Sequence, residues 1–225
     1  MNEKLISVII PVYKHEKELA LALDSIKKQT YKNIEIVIER DEKHEGAPVM
    51  RNRGLAKANG EYVIFWDADV VAVPRMLEEM KKTLDENPQA SFVYSKYKIH
   101  VTKYNTKVIP SRDFNVEILK QNNFIHSTSL IRRQDAIKWD ESLKRFQDWD
   151  LWLTMAKPFD TAQGKQGKIG VYIPKTLFTI IAKGTMSSWL PKFAYKKPWK
   201  YLPWFKSKVE KYEKAREVVI SKHSL

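Results

Sequence analysis

Ser7 to Val12 reads S-V-I-I-P-V, an apolar run rich in β-branched residues with helical periodicity directly behind it. A run without polar alternation fits a strand buried on both faces, the kind found in parallel sheets covered by helices. Pro11 is expected to end the strand, because proline donates no ladder hydrogen bond. Glu18 to Gln29 then places Leu19, Leu23 and Ile26 on one stripe, and Gln29-Thr30-Tyr31 closes that helix. A second run, Ile34 to Ile38, completes a βαβ unit. Such units cross over right-handedly and open a crevice at the carboxyl ends of their strands, so function is expected in the loops after the strands.

The pattern continues with a helix over Ala47 to Asn59, stopped at Asn59-Gly60, and a strand over Tyr62 to Trp66 that runs into Asp67-Ala68-Asp69. Pro74 opens a third helix carrying Met76, Leu77, Met80 and Leu84, ended by Asn87-Pro88. Ala90 to Pro110 alternates and predicts strands, Ser127 to Arg132 another strand, and Asp148 to Ala156 an amphipathic helix. Ile169 to Ile181 reads as a strand pair turning at Pro174-Lys175, and Lys206 to Ile220 as a charged helix.

At 225 residues, with 43% hydrophobic and 30% charged side chains, the chain can bury a core as one domain with a short appendage. It contains no cysteine, which excludes a disulfide framework, thiolate metal sites and a cysteine nucleophile, and suits a reducing cytosol. The first apolar run is far shorter than the roughly 20 residues of a spanning helix and follows no charged leader, so neither signal peptide nor membrane anchor is expected. The net charge of +13 points to an anionic partner. Ten Lys or Arg against three Glu from Pro191 onward put +7 of that charge in the final 35 residues.

A D-x-D pair alone says little, since eleven Asp in 225 residues give it a chance expectation of about one half. Its place matters more. If the chain stays extended after Tyr62 to Trp66, Asp67 and Asp69 project to the same side of the crevice. Paired carboxylates suit Mg²⁺ or Mn²⁺ shared with substrate phosphates, and such an ion stabilises charge on a departing diphosphate. The alternative is an acidic turn capping the helix near Pro74.

Ser7-Val-Ile-Ile-Pro-Val-Tyr13, Leu23-Asp-Ser-Ile26 with Gln29-Thr30-Tyr31, Arg51-Asn52-Arg53-Gly54-Leu55, Gly60-Glu61-Tyr62 and Asp67-Ala68-Asp69 together resemble family 2 glycosyltransferases of the GT-A fold, in order and spacing, over about residues 5 to 187. The resemblance implies an α/β, Rossmann-like, mostly parallel sheet flanked by helices. It implies a catalytic domain over 1–188, with a nucleotide-binding half to about 95 and an acceptor half from about 96, followed by a basic aromatic extension over 189–225. By that resemblance Pro11 and Tyr13 line the nucleotide pocket and Asp41 accepts a hydrogen bond from the base. Arg51 lies near base and diphosphate, Asp67 near ribose and metal, and Asp69 is the principal ligand of Mn²⁺ or Mg²⁺. Ser127 to Arg132 falls on the acceptor side. Gln147-Asp148-Trp149-Asp150-Leu151-Trp152 is similar to the family's segment beneath the acceptor, which makes Asp148 the base of an inverting transfer. The competing reading of that segment is helix capping by Asp148, with Asp150 complementing the dipole.

Three departures stand out. Glu39-Arg40-Asp41 replaces two adjacent acids, so Glu39 competes with Asp41 for the base and nucleotide identity stays open. Lys183 stands just ahead of Met186-Ser187 where the family often has a His, and is expected to meet a donor phosphate or to be a solvated loop residue. Gln147 replaces a Glu and is expected to matter little. His126 near the acceptor side is one of five scattered His, without metal-ligand spacing.

From Trp189 to Phe205 seven of seventeen residues are aromatic, interleaved with Lys. That composition fits docking on an anionic membrane that carries a lipid-linked acceptor, or a cover over the core. The expectation is a cytoplasmic or peripheral enzyme moving a sugar from a nucleotide-diphosphate sugar, of the UDP type, to a saccharide or lipid-linked acceptor in glycan, polysaccharide or glycolipid synthesis. Its rivals are an inactive donor-binding homologue and a nucleic-acid module using the basic tail. The latter leaves the acidic motifs unexplained, so no nucleic acid is expected.

Overall fold

The computed structural model describes residues 4–102, 105–157, 167–181, 190 and 192–225. The expected opening is present: β1 (Ile6–Val12), α1 (Glu16–Lys27), β2 (Ile34–Arg40), α2 (Ala47–Lys57) and β3 (Tyr62–Phe65) follow in order. β1 pairs in parallel with β2 on one side and with β3 on the other. Its side chains are buried on both faces, which is why the run shows no polar alternation.

Pro11 does not end β1. The strand continues to Val12, whose carbonyl accepts the Asp41 N–H on the β2 side. Pro11 therefore faces the β3 side, where the ladder already stops at Ile9 and Phe65, so its missing donor breaks nothing. Beyond that point β1 and β3 part, and the crevice opens.

β4 (Val70–Ala72), α3 (Met76–Glu86), β5 (Ala90–Thr102), β6 (Asn105–Ile109), α4 (Val116–Gln121), β7 (Leu130–Arg132), α5 (Gln147–Ala156), β8 (Ile169–Ile180) and α6 (Pro203–His223) complete the elements, with short 3-10 turns between. The strands form one sheet in the order β2-β1-β3-β7-β5-β8-β4, with β6 added to β5. Parallel pairing joins β2-β1-β3 and β5-β8, while β7 and β4 enter antiparallel. β4 follows β3 closely in sequence yet pairs with β8, so the sheet joins early and late parts of the chain.

The segment Ile169 to Ile181 is not a hairpin. β8 runs alongside β5 throughout, and Pro174-Lys175 are two extra residues between the pairs Ser95–Ile173 and Lys96–Thr176. Proline is accepted there because a bulge asks for no ladder donor. On the β1 surface α2 comes so close that a Cβ on Gly54 would sit 2.3 Å from Ile9 Cγ2, which accounts for glycine at that position. The core lies on both sides of the sheet. One side gathers Ile10, Trp66 and Met80, the other Phe65, Phe92, Trp149 and Trp152.

Candidate active site

β3 delivers Asp67 to the crevice, but not through an extended chain. The Val70 N–H bonds to the Asp67 carbonyl at 3.0 Å, so Asp67-Ala68-Asp69 form a tight turn, and the buried Trp66 indole pins it by donating to the Val70 carbonyl. The turn does not cap α3, whose capping residue is Arg75. Asp67 faces Arg51, with Nη2 to Oδ1 at 2.7 Å, and its other oxygen accepts from Ser127 Oγ at 3.0 Å. Burial alone would push this carboxyl up. Burial is the largest single influence, but the Arg51 charge, His126 and the hydrogen bonds from Arg51 and Ser127 together hold Asp67 below the ordinary carboxylate range. Asp69 goes the other way: burial first and the Asp67 charge second push it up to about 6.

Arg51 is buried and packs its guanidinium 4.3 Å over the Trp139 ring. It also donates to Gln147 Oε1 at 3.3 Å, so Gln147 matters more than the sequence suggested. A neutral glutamine there leaves Asp67 as the carboxylate paired with Arg51.

Asp148, on the first turn of α5, lies close enough to Arg51 and Asp67 to feel both charges. It does not cap the helix: the capping residue is Phe146, which has φ 57 and no side-chain cap bond. Asn123 Nδ2 donates to Asp148 Oδ2 at 2.8 Å, and the Trp149 N–H donates to Oδ1 at 2.9 Å. Burial raises its pKa, and among the charges acting on it are Arg51, which lowers it, and Asp67, which raises it. Asp150, two residues on, enters a buried cluster with His223 Nε2 at 2.7 Å and Lys222 Nζ at 2.9 Å. Its role is to dock α6.

The proposed nucleotide side is partly assembled. Pro11 and Tyr13 stand at the end of β1, and the Tyr13 ring meets His44 edge-on at 4.9 Å. Both oxygens of Asp41 accept backbone N–H groups, from Glu45 and Gly46, each at 2.8 Å, so this side chain shapes the loop before α2. Glu39, its competitor in the sequence, pairs with Lys57 at 2.6 Å. Lys183 and the Met186-Ser187 stretch lie outside the described residues.

Two further buried groups lie beside Asp67 and Asp148; Tyr97 carries no sequence signal, and His126 is marked in the sequence only by its place near the expected acceptor side. Tyr97 is raised by burial and by the Asp148 charge. His126 packs between Tyr97 and Phe178, and burial, with Arg51 nearby, lowers its pKa to about 4 against the opposing pull of Asp67. Its Nδ1 accepts the Thr128 N–H at 3.0 Å, so the neutral ring carries its proton on Nε2. Among the described residues no group of three His, Cys, Asp or Glu could enclose a metal ion. The donor set is two carboxylates, and a divalent ion held by two carboxylates takes its remaining ligands from substrate phosphates and water. Asp69, destabilised as an anion by burial and by Asp67, is a carboxylate whose charge such a cation relieves.

A helix-flanked α/β sheet with two aspartates in the turn after a central strand is the frame in which comparison identifies a family. The model of glycosyl transferase family 2 matches residues 7–43 and 36–140, and the chain belongs to that family. An uncharacterized glycosyltransferase of Methanocaldococcus jannaschii is 24% identical over 188 residues, covering 68% of this chain and 65% of its own length. The amylovoran biosynthesis glycosyltransferase AmsB of Erwinia amylovora is 26% identical over 197 residues, covering 70% and 65%. The chain thus spans just under two thirds of these relatives. Among solved structures, S. aureus TarS 1-349 in complex with UDP-GlcNAc superposes with a TM-score of 0.63 at 18% identity, covering 84% of this chain and 62% of that one. The mannosyltransferase PcManGT of Pyrobaculum calidifontis in complex with GDP-Man and Mn²⁺ gives 0.57 at 15% identity, covering 82% and 59%. The fold is that of the GT-A glycosyltransferases.

Proposed function

We propose that this chain transfers a sugar from a nucleotide-diphosphate donor, a UDP-sugar, to an acceptor hydroxyl with inversion, in the synthesis of a glycan, polysaccharide or glycolipid. One observation carries the reading: Asp67, ion-paired with Arg51, acts electrostatically on both Asp69 and Asp148, and both of those carboxyls are raised. Donor-bound structures of similar fold support a nucleotide-sugar, since TarS was solved with UDP-GlcNAc and PcManGT with GDP-Man and Mn²⁺.

In this reading residues to about 95 hold the donor and residues from about 96 to 188 hold the acceptor. Pro11, Tyr13 and the loop shaped by Asp41 border the base and ribose. Arg51, fixed by Asp67 and Trp139, presents positive charge to the diphosphate in a site shielded from water. Lys183 adds a phosphate contact. Asp69, with Asp67, would hold Mn²⁺ or Mg²⁺, which when bound offsets charge on the departing diphosphate. Asp148, held by Asn123, takes the proton of the acceptor hydroxyl as the anomeric carbon becomes electrophilic. Its raised pKa makes it a better base once ionised.

The test is thermal stabilisation by UDP with and without Mn²⁺. A ligand present at 100 times its Kd adds about 2.7 kcal/mol. Wild type is expected to gain several degrees with both ligands together, and Asp69→Asn to gain little. Equal gains in the two proteins would refute the metal assignment, and no gain in wild type with any nucleotide-sugar would refute the donor site.

A further inference from the structure

We propose that the exposed aromatic face at the start of α6 and the turns before it docks the protein on a negatively charged lipid bilayer surface. Large aromatic residues are normally covered, yet Trp204 is 76% exposed, Tyr201 57%, Phe193 48% and Trp199 47%. They are neighbours, since the Phe193 ring contacts both Trp199 at 5.6 Å and Phe205 at 6.0 Å.

The covering of the catalytic core is done by other residues of the same extension. Tyr212 packs on Phe146 at 5.3 Å, Arg216 lies 5.3 Å over the Trp149 ring, and Lys222 and His223 bind Asp150. The extension therefore has two faces. One is docked on α5, and the other presents tryptophan and tyrosine to solvent.

Charge identifies the occupant. From Leu190 to Val209 the sequence holds Lys192, Lys196, Lys197, Lys200, Lys206 and Lys208 and no acidic residue. Lys196, Lys197, Lys206 and Lys208 are exposed beside the aromatic face. Tryptophan and tyrosine partition to the bilayer interface, where an apolar body and a polar tip are both satisfied, and adjacent lysines are drawn to anionic headgroups. Among the described residues no helix is long and apolar enough to cross a membrane, so attachment through this face would be interfacial.

Vesicle flotation tests this without knowledge of sugar or acceptor, so its result does not depend on the sugar-transfer reading. The intact chain is expected to float with vesicles of phosphatidylcholine mixed with phosphatidylglycerol, and much less with phosphatidylcholine alone. The triple variant Trp199→Ala, Tyr201→Ala, Trp204→Ala should bind about tenfold more weakly or worse. Each of Lys196, Lys197, Lys206 and Lys208 changed to Ser should weaken binding about fivefold. Because all seven side chains project to solvent, the variants should keep the wild-type circular dichroism and melting temperature. Absence of flotation, equal binding to neutral vesicles, or a triple variant that floats like wild type overturns the proposal. So does a wild-type dimer in sedimentation that the triple variant dissolves, which would assign the face to a second copy. Salt-dependent retention on duplex DNA that the triple variant loses would assign it to nucleic acid and overturns the proposal equally.

Discussion

Asp67 and Asp148 feel one another's charge but are held in place by different kinds of structure. Asp67 leaves a buried central strand, and its turn is fixed within a few residues by Trp66 and the Val70 N–H. Asp148 enters on a helix whose capping residue, Phe146, has φ 57, a left-handed conformation that costs a non-glycine residue free energy unless the surroundings impose it. Those surroundings come from α6: Tyr212 on Phe146, Arg216 on Trp149, and Lys222 with His223 on Asp150. The backbone turn carrying Asp67 is a local product of the sheet, whereas the helix carrying Asp148 is docked by residues about seventy places further along the chain.

The largest expected effect falls on the chemistry of the second region. Asp148→Asn should lower turnover by about 10²–10⁴-fold while leaving UDP-dependent thermal stabilisation intact. In the wild type kcat/KM should fall as pH drops through the raised pKa of this carboxyl, above the ordinary range for aspartate. Substantial activity in the Asn variant would remove Asp148 as the base. His223→Ala probes the support rather than the base. It should cost about 1–3 kcal/mol in urea unfolding, since Lys222 still pairs with Asp150, and should lower kcat with no change in nucleotide-induced stabilisation. A rise in donor KM instead would merge the two regions.

Asp69→Asn sharpens the comparison from the other side, as a gain. A folded-state pKa raised from 3.8 to about 6 opposes folding once pH exceeds the unfolded value, and the opposition is complete above about 6. The metal-free Asn variant should therefore be more stable than wild type at pH 8, by at most about 3 kcal/mol, with the difference gone below about pH 4. Melting temperatures across pH without divalent ions would show it. A destabilised variant at pH 8 would mean that Asp69 is already compensated by groups within the chain.

The same division explains what the sequence could convey. β1 through β3 and then α3 were readable because each element buries residues whose spacing is set locally, and the family resemblance rests on those motifs. β4 was missed because three residues beside Asp69 carry no period of their own. α4 was missed although Asn115, which accepts the Ile118 N–H, is a capping signal that could have revealed it. Pro174-Lys175 looked like a turn because proline marks turns and bulges alike. At the site the aspartates were legible as motifs. The Arg51 contacts to Trp139 and Gln147, the Asn123 support and the packing of His126 on Phe178 depend on residues brought together over tens of positions, which no local pattern records.

The two extra residues in β8, with one more at the shift between Lys96 and Tyr97, set a register that reaches Asp69. Beyond them Ile180 pairs with Val70, and the Ile181 N–H bonds to the Asp69 carbonyl. Two is also the repeat of a pleat, so losing both would leave every upper side chain on its original face while sliding that half of the strand by about 7 Å. The bulge works as a vernier: it sets the height of the acidic turn above the sheet independently of which residues line the core.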